Sequence, residues 1–171
     1  MEQAELKPYQ RIHFPILAYW VTGPEMLLQF SGTEFTYPIT QAQLDTYATK
    51  YPDRQFYIGY YQGMPVFFGE IIPQEGPGPR LGRLLIGDHN YRRKGLGMLF
   101  TRLLINECRT RFNATAVELF VWENNTTAIG CYKKIGFDFI PIDPFVMVQD
   151  GVEYNLKKMR ISTEDEKLKS R

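Results

Sequence analysis

A cluster of cations and glycines between residues 92 and 97 is well suited to bind an anion. It reads Arg92-Arg93-Lys94-Gly95-Leu96-Gly97, and an apolar segment follows it. Glycine lacks the Cβ atom that would keep a phosphate away from the backbone. At a helix start the first N–H groups have no partner within the helix, and the peptide dipoles favour negative charge. The sequence therefore predicts a phosphate site here, with the three cations adding charge-assisted contacts.

Two common phosphate-binding loops do not fit this segment. A nucleoside-triphosphate loop ends in Gly-Lys-Ser/Thr, which the chain lacks. A dinucleotide loop has Gly-x-Gly-x-x-Gly, and Phe100 stands at the position of the third glycine. The pattern that remains is Arg-x-x-Gly-x-Gly, from Arg92 to Gly97.

A second pattern lies downstream and comprises Asn125, Ala128, Tyr132 and Gly136-Phe137. Together with the segment Arg92–Gly97, it resembles the signature motifs of the GNAT N-acetyltransferase superfamily. The resemblance implies an enzyme that moves an acetyl group from acetyl-CoA to a primary amine by direct attack. Coenzyme A would enter as acetyl-CoA, a co-substrate, and no metal is expected.

The resemblance also implies where acetyl-CoA would bind. Backbone amides of Arg93–Met98 would hold the diphosphate, while the end of one strand and Asn125 would hold the pantetheine arm. Asn125 has an equally good alternative role as a helix N-cap. The cofactor-binding residues expected in this way are Leu85, Ile86, Gly87, Arg92, Arg93, Lys94, Gly95, Leu96, Gly97, Met98, Asn125 and Tyr132.

Five residues are candidates for proton transfer. The resemblance implies that the Tyr132 phenol donates a proton to the departing thiolate, although this side chain could instead pack its helix on the sheet. An amine of the lysine type has a pKa of ~10.4 and must lose a proton before it attacks. Asp88 and Glu70 are the candidate bases, with His89 and Glu118 as weaker ones. Deprotonation through water remains an alternative that needs no side-chain base.

The acceptor is expected to be a small-molecule amine that binds against the N-terminal half of the chain. Aromatic residues there could line its pocket, although an aromatic stripe more often belongs to a core: Trp20, Phe30, Phe35, Tyr37 and Tyr60. The alternatives are a protein N-terminus or lysine as acceptor, and a non-catalytic module that binds acyl-CoA for regulation.

Composition excludes several classes of partner. The 171 residues carry 20 Lys plus Arg against 19 Asp plus Glu, and this balance argues against nucleic-acid binding. Apolar runs are too short to span a membrane. Cys108 and Cys131 both lie in apolar helical patterns, which favours reduced thiols and the cytoplasm. A homodimer is possible by analogy with the family.

Periodicity predicts the elements that position these motifs. Helices with an apolar face are expected after Gly95 and over Thr126–Ile135, and Gln55–Tyr61 with Met64–Ile72 is expected to form a hairpin. Strands are expected at Phe14–Val21, Arg83–Gly87, Ala116–Trp122 and Val152–Arg160, and Phe137–Ile142 with Phe145–Val148 is expected to form one strand interrupted by prolines. The fold class is therefore α/β (α+β). The resemblance adds a mostly antiparallel central sheet with a splayed parallel strand pair and helices on both faces.

The chain is expected to form one domain over residues 1–160, because 171 residues is close to the usual length of a single domain. Residues 161–171 form a charged tail that is expected to be disordered.

Overall fold

A computed structural model describes residues 3–164 of the chain. Its helices are α1 (Phe14–Trp20), α2 (Pro24–Ser31), α3 (Gln41–Lys50), α4 (Leu96–Phe112) and α5 (Thr126–Ile135). Its strands are β1 (Ala4–Pro8), β2 (Gln55–Tyr61), β3 (Met64–Ile72), β4 (Arg80–Ile86), β5 (Ala116–Trp122), β6 (Asp138–Phe139), β7 (Phe145–Gln149) and β8 (Val152–Ser162). Short 3₁₀ turns precede α1 and α4, at Arg11–His13 and His89–Tyr91.

The eight strands form one mixed sheet in the order β1-β2-β3-β4-β5-β8-β6, and β7 pairs with β8 beside β6. Within it β4 and β5 are parallel, and the other pairings are antiparallel. The parallel pair needs a crossover, which α4 supplies. The predicted fold class, with its mostly antiparallel sheet and one parallel strand pair, is confirmed.

Two apolar clusters lie on opposite faces of this sheet. One forms under α4 and α5 and contains Phe67, Phe100, Leu104 and Phe137, each at most 1% exposed. The other forms under α1–α3 and is rich in aromatic residues. The sheet is therefore covered on both faces, and a ligand can reach its centre only where two strands separate.

The predicted hairpin and both principal helices are confirmed. The β2–β3 turn at Gln62-Gly63 has positive φ at both residues, as a type I′ turn requires. Gly136 follows α5 with a φ of 122°, and its N–H bonds to the carbonyls of Lys133 and Tyr132. The glycine thus ends the helix where the sequence indicated.

The prediction of a strand at Phe14–Val21 was wrong, because this segment is helix α1. Leu17 and Trp20 are three residues apart and both are buried, which is helical and not strand spacing. Aromatic and β-branched residues suggested a strand, but Pro15 in the first turn and burial of one helical face decided the outcome. Strand β1 also lies in the N-terminal segment, where no strand was expected.

The last strand runs two residues further than expected, since β8 ends at Ser162. Ile161 is 3% exposed and belongs to the main core, so it is part of the domain and not of a tail. The remaining tail prediction, for residues 165–171, lies outside the described residues.

Candidate active site

A cleft opens where the parallel strands separate. β4 and β5 pair only at Arg80↔Glu118 and Leu81↔Leu119, and then they diverge. Arg83 has a φ of 52°, and the β3–β4 register shifts beside it, so β4 carries a bulge just beyond the last paired residue. A bulge bends its strand and strengthens the local twist. The resulting cleft has a volume of about 1040 Å³ and reaches from α2 to α5.

The start of α4 lies at this cleft and presents a run of unused backbone donors. Arg93 and Gly95 both have left-handed backbone, with φ of 60° and 77°. Within residues 3–164, none of the six amides from Arg93 to Met98 donates a hydrogen bond, and the first intrahelical bond runs from Leu99 N to Gly95 O. Successive free N–H groups at a helix start form an anion site.

The glycines keep this site open. A Cβ added at Gly97 or at Gly95 would meet no atom within 4 Å, and Gly97 lines the cleft. Leu96 buries its side chain in the core, where it is 4% exposed. Met98 is partly buried against the same core. The sequence-predicted diphosphate site is thus assembled from backbone, with room for a ligand above it.

The cations of the motif have different surroundings. Arg92 donates from Nε to the Ile86 carbonyl at 3.1 Å and from Nη2 to the Gly87 carbonyl at 3.4 Å. Its guanidinium therefore ties the glycine loop to the end of β4. Lys94 places its Nζ 5.7 Å from the centre of the Tyr91 ring.

The end of β4 lines the cleft through Leu85 and Ile86. Gly87 donates its N–H to the Val66 carbonyl of β3 at 2.9 Å, so this donor faces the neighbouring strand. A Cβ on Gly87 would lie 1.9 Å from the Trp20 ring. Glycine is therefore needed there for close packing of α1 on the sheet.

Asn125 and Tyr132 reach the cleft from α5. Asn125 is the N-cap of this helix, and its Oδ1 accepts a hydrogen bond from Ala128 N at 3.1 Å. Of its two expected roles, capping is the one that the geometry displays. Its side-chain amide N–H₂ makes no hydrogen bond to another described residue.

Tyr132 lies at the edge of the cleft with its ring against Phe137, at a centroid distance of 5.9 Å. Its phenol has no hydrogen-bond partner in the part of the chain that the structure describes. Burial raises the pKa of Tyr132 above its ordinary value, since desolvation disfavours the phenolate. The phenol therefore stays protonated at neutral pH and is chemically a proton donor.

The candidate base Glu70 is enclosed on the other face of the sheet. It is 0% exposed, its Oε1 accepts from the Tyr47 hydroxyl at 2.6 Å, and its Oε2 pairs with Arg83. The same hydroxyl accepts hydrogen bonds from Arg54 and Arg83. Burial, and then the charge of Glu70, raise the pKa of Tyr47. Both carboxylate oxygens are thus engaged, and Glu70 does not line the cleft.

Asp88 is also engaged, because its Oδ1 accepts from Asn90 N at 2.8 Å and caps the 3₁₀ turn before the glycine loop. Of the described residues that line the cleft, Glu34 alone carries a carboxylate, and it pairs with Lys50 at 3.3 Å. The structure thus brings Tyr132 and the α4 amides to one cleft, and it places Glu70 and Asp88 outside it.

Sequence reasoning missed three arginines that line the cleft on the α1–α3 side, namely Arg54, Arg80 and Arg83. The signal available was weak. Two of these cations interrupt the apolar run of β4, but only the folded sheet shows that Arg54 joins them from the start of the β2 hairpin.

The chain matches the model of the Acetyltransferase (GNAT) family over residues 25–137. It is 30% identical over 86 residues to the spermine/spermidine N(1)-acetyltransferase of Bacillus subtilis (strain 168). That match covers 47% of this chain, and the chain spans only 57% of the relative's length.

Solved structures share the fold across nearly the whole chain. The spermidine N-acetyltransferase from Vibrio cholerae in complex with CoA and spermine has a TM-score of 0.76 at 14% identity, covering 94% of this chain and 95% of that one. A GNAT-family acetyltransferase from Streptococcus pneumoniae has a TM-score of 0.68 at 15% identity, covering 94% and 99%. At these identities the likeness concerns the fold.

The described residues contain neither a membrane-spanning helix nor a metal-binding cluster. No helix among them is long and apolar enough to cross a membrane. Nor do they contain a group of three or more His, Cys, Asp or Glu side chains that could hold a metal ion.

Proposed function

The chain belongs to the acetyltransferase (GNAT) family, and from that premise we propose that it transfers an acetyl group from acetyl-CoA to the amine of a small molecule. One observation carries the proposal. Six consecutive free amides, Arg93–Met98, lie at the start of α4, where Gly97 lines the cleft between β4 and β5 that also contains Tyr132. This arrangement offers a diphosphate seat and a proton donor at one cavity.

The cofactor would bind mainly through backbone. The amides of Arg93–Met98 would hold the diphosphate, while Arg92 keeps the loop against β4 and Lys94 adds a nearby positive charge. Backbone groups of Leu85 and Ile86 lie along the separated edge of β4, where the pantetheine arm would run. Their role as cofactor contacts stays a prediction, as does that of Gly87.

Tyr132 is the proposed general acid. The neutral amine attacks the thioester carbonyl, the carbon–sulfur bond breaks, and the sulfur takes the proton of the phenol as thiolate charge develops. Water then returns a proton to the phenolate. The high pKa of the buried phenol keeps this proton in place until it is needed. An acid of this kind is worth roughly 10²–10⁴ in rate.

The proton of the incoming amine is proposed to leave through water. Glu70 and Asp88 are held by other partners, and Glu34 is paired with Lys50. That Glu70 or Asp88 acts as the base stays a prediction from the sequence. A cleft of about 1040 Å³ is large enough to hold both a ligand arm and ordered water.

The nature of the acceptor draws support from the curated relative, which is named for spermine and spermidine. Both are small amines, so a small-molecule acceptor is favoured over a protein N-terminus or lysine. A homodimer and a cytoplasmic location stay predictions.

The experiment is a thiol-release assay with acetyl-CoA and a panel of small amines, run beside calorimetric titration with CoA. We expect saturable CoA binding and amine-dependent release of free thiol. Peptides with a free N-terminus or lysine serve as the comparison set. Binding without turnover for any amine would instead support the non-catalytic acyl-CoA-binding module, and turnover of peptides alone would reject the small-molecule acceptor.

A further inference from the structure

Arg80 is a half-buried cation without a counter-ion. Its guanidinium lines the cleft at the point where β4 and β5 separate. Among the described residues it makes no hydrogen bond and no ion pair within 4 Å. Its guanidinium lies over the face of the Phe120 ring, whose centre is 5.2 Å from the guanidinium carbon.

Other cations surround Arg80. Arg54 and Arg83 line the same side of the cleft, and both donate hydrogen bonds to the Tyr47 hydroxyl. Lys158 approaches the Phe120 ring at 5.4 Å and is paired with Glu118. Burial, and then repulsion from Arg54, lower the pKa of Arg80.

The nearby carboxylates are already committed. Glu70 pairs with Arg83 and accepts from Tyr47, while Glu118 pairs with Lys158 and Arg160. A buried cation is costly unless it is paired and hydrogen-bonded. Arg80 thus retains unused donors beside the cleft in a positive environment, and an anion that entered the cleft would satisfy them.

Arg80 lies on the α1–α3 face of the sheet, which we take as the acceptor side of the cleft. Arg83 and Leu85 lie on the α1–α3 face of β4, and the α4 amides serve the other face. Arg80 stacks on Phe120 of β5. Leu119 and Val121 on either side of Phe120 belong to the core under α4, so Phe120 lies on the opposite, α1–α3 face. A group bound at Arg80 would therefore lie on the α1–α3 face, away from the diphosphate seat.

We propose that the acceptor is an amine that also carries a carboxylate or phosphate group, and that this anionic group binds Arg80. The inference rests on the proposed function and narrows its substrate class. Guanidinium groups bind carboxylates and phosphates through paired, charge-assisted hydrogen bonds. A polyamine would instead bring positive charge to a site lined by three arginines, so the relatives' acceptors are disfavoured here.

The test compares amines that differ only in their distal group: 5-aminopentanoate, 5-aminopentanol and 1,5-diaminopentane, with the same sets lengthened by one and two methylenes. We expect kcat/KM to be highest for the anionic member, about tenfold above the alcohol, because a charge-assisted contact is gained. The diamine should be the poorest. Equal rates across each set, or preference for the diamines, would overturn the inference.

Arg80→Gln identifies the residue responsible. The KM for the preferred anionic amine should rise about tenfold with kcat little changed, whereas KM for the alcohol and for acetyl-CoA should stay constant. Arg80→Lys should recover part of the loss. Arg109→Gln on α4, outside the cleft, is the matched control and should behave as wild type. A rise in KM for acetyl-CoA in Arg80→Gln would assign this residue to the donor and reject the inference.

The two proposals fail in different ways. If no amine of any charge releases thiol, the proposed function fails and with it the acceptor class. If neutral and cationic amines are acetylated at least as well as anionic ones, transferase activity stands and the anionic-acceptor inference is rejected.

Discussion

The two sides of the cleft are built by different means. On the donor side, α4 and α5 present backbone amides and one phenol, and the contributing residues fall within two short sequence segments. On the acceptor side, the cleft is lined by Arg54, which directly precedes β2, and by Arg80 and Arg83 of β4. These arginines lie beside the aromatic-rich cluster under α1–α3. Backbone binding suits a ligand common to a whole family, whereas side chains can change from one chain to the next without altering the fold.

Breaking the acceptor-side network should have the largest effect. Glu70→Gln leaves Arg83 without its carboxylate in a site where the two side chains are 0% and 10% exposed. Loss of one partner of a buried pair costs about 3–5 kcal/mol. We therefore expect a matching fall in the free energy of unfolding, measured by urea denaturation.

The control for that measurement is Glu5→Gln, because the Glu5–Lys7 pair is half exposed. Exposed pairs contribute less than about 1 kcal/mol. If Glu70→Gln destabilised the fold no more than Glu5→Gln, the buried network would not be the framework of the acceptor side.

Removing the phenol on the donor side should come next. Tyr132→Phe keeps the ring against Phe137 and removes only the proton donor. We expect kcat to fall by about 10² or more, with CoA affinity unchanged by calorimetry. Tyr19→Phe is the control, since Tyr19 is 78% exposed and lies outside the cleft. An unchanged kcat for Tyr132→Phe would leave this tyrosine with packing alone.

A methyl group at Gly97 separates ligand binding from folding. No atom would contact the added Cβ, so the fold should tolerate Gly97→Ala and the helix should gain up to about 1 kcal/mol. The methyl would nevertheless stand above the free amides, and we expect KM for acetyl-CoA to rise about tenfold. Gly130→Ala on α5, where a Cβ is equally unopposed, should stabilise without altering KM. Equal KM values in both variants would contradict a diphosphate at Gly97.

Tyr132 should have its smallest effect on the pH dependence of the rate. Because the pKa of Tyr132 is raised, its phenol remains protonated below the ordinary tyrosine pKa of about 10. The rate should rise between pH 7 and 10 as more of the acceptor amine becomes neutral, with no descending limb from Tyr132. If the wild-type rate instead began to decrease with rising pH below pH 9, and Tyr132→Phe did not show this decrease, the pKa of Tyr132 would be lowered. That result would contradict the assignment.

The two sides of the cleft also differ in how well the sequence predicted them. The donor side could be predicted because its residues fall in two continuous segments, Arg92–Gly97 and Asn125–Phe137. The residue spacing within these segments indicates a helix start and a helix. The acceptor side was not, because Tyr47, Arg54, Glu70 and Arg83 meet only after β2, β3 and β4 pair. Nothing local in the sequence links these four residues.

The secondary-structure elements likewise differ in how well the sequence predicted them. The β2–β3 hairpin and α4 carry strong periodicity, and both were predicted correctly. Helix α1 was taken for a strand because its seven residues are almost all apolar, so they show no clear period. Its true form depends on packing Leu17 and Trp20 against the sheet, and Gly87 makes room for Trp20 from a distant part of the chain.

The most direct test of the central claim is an amide titration by ¹H–¹⁵N NMR. On addition of CoA, we expect saturable shifts of the Arg93–Met98 amides, which have no hydrogen-bond partner among the described residues. Pantetheine, which lacks the diphosphate, should leave these six signals in place while it shifts residues along β4. If CoA bound with no change at Arg93–Met98, or if pantetheine moved these signals equally, the diphosphate would not lie at the start of α4.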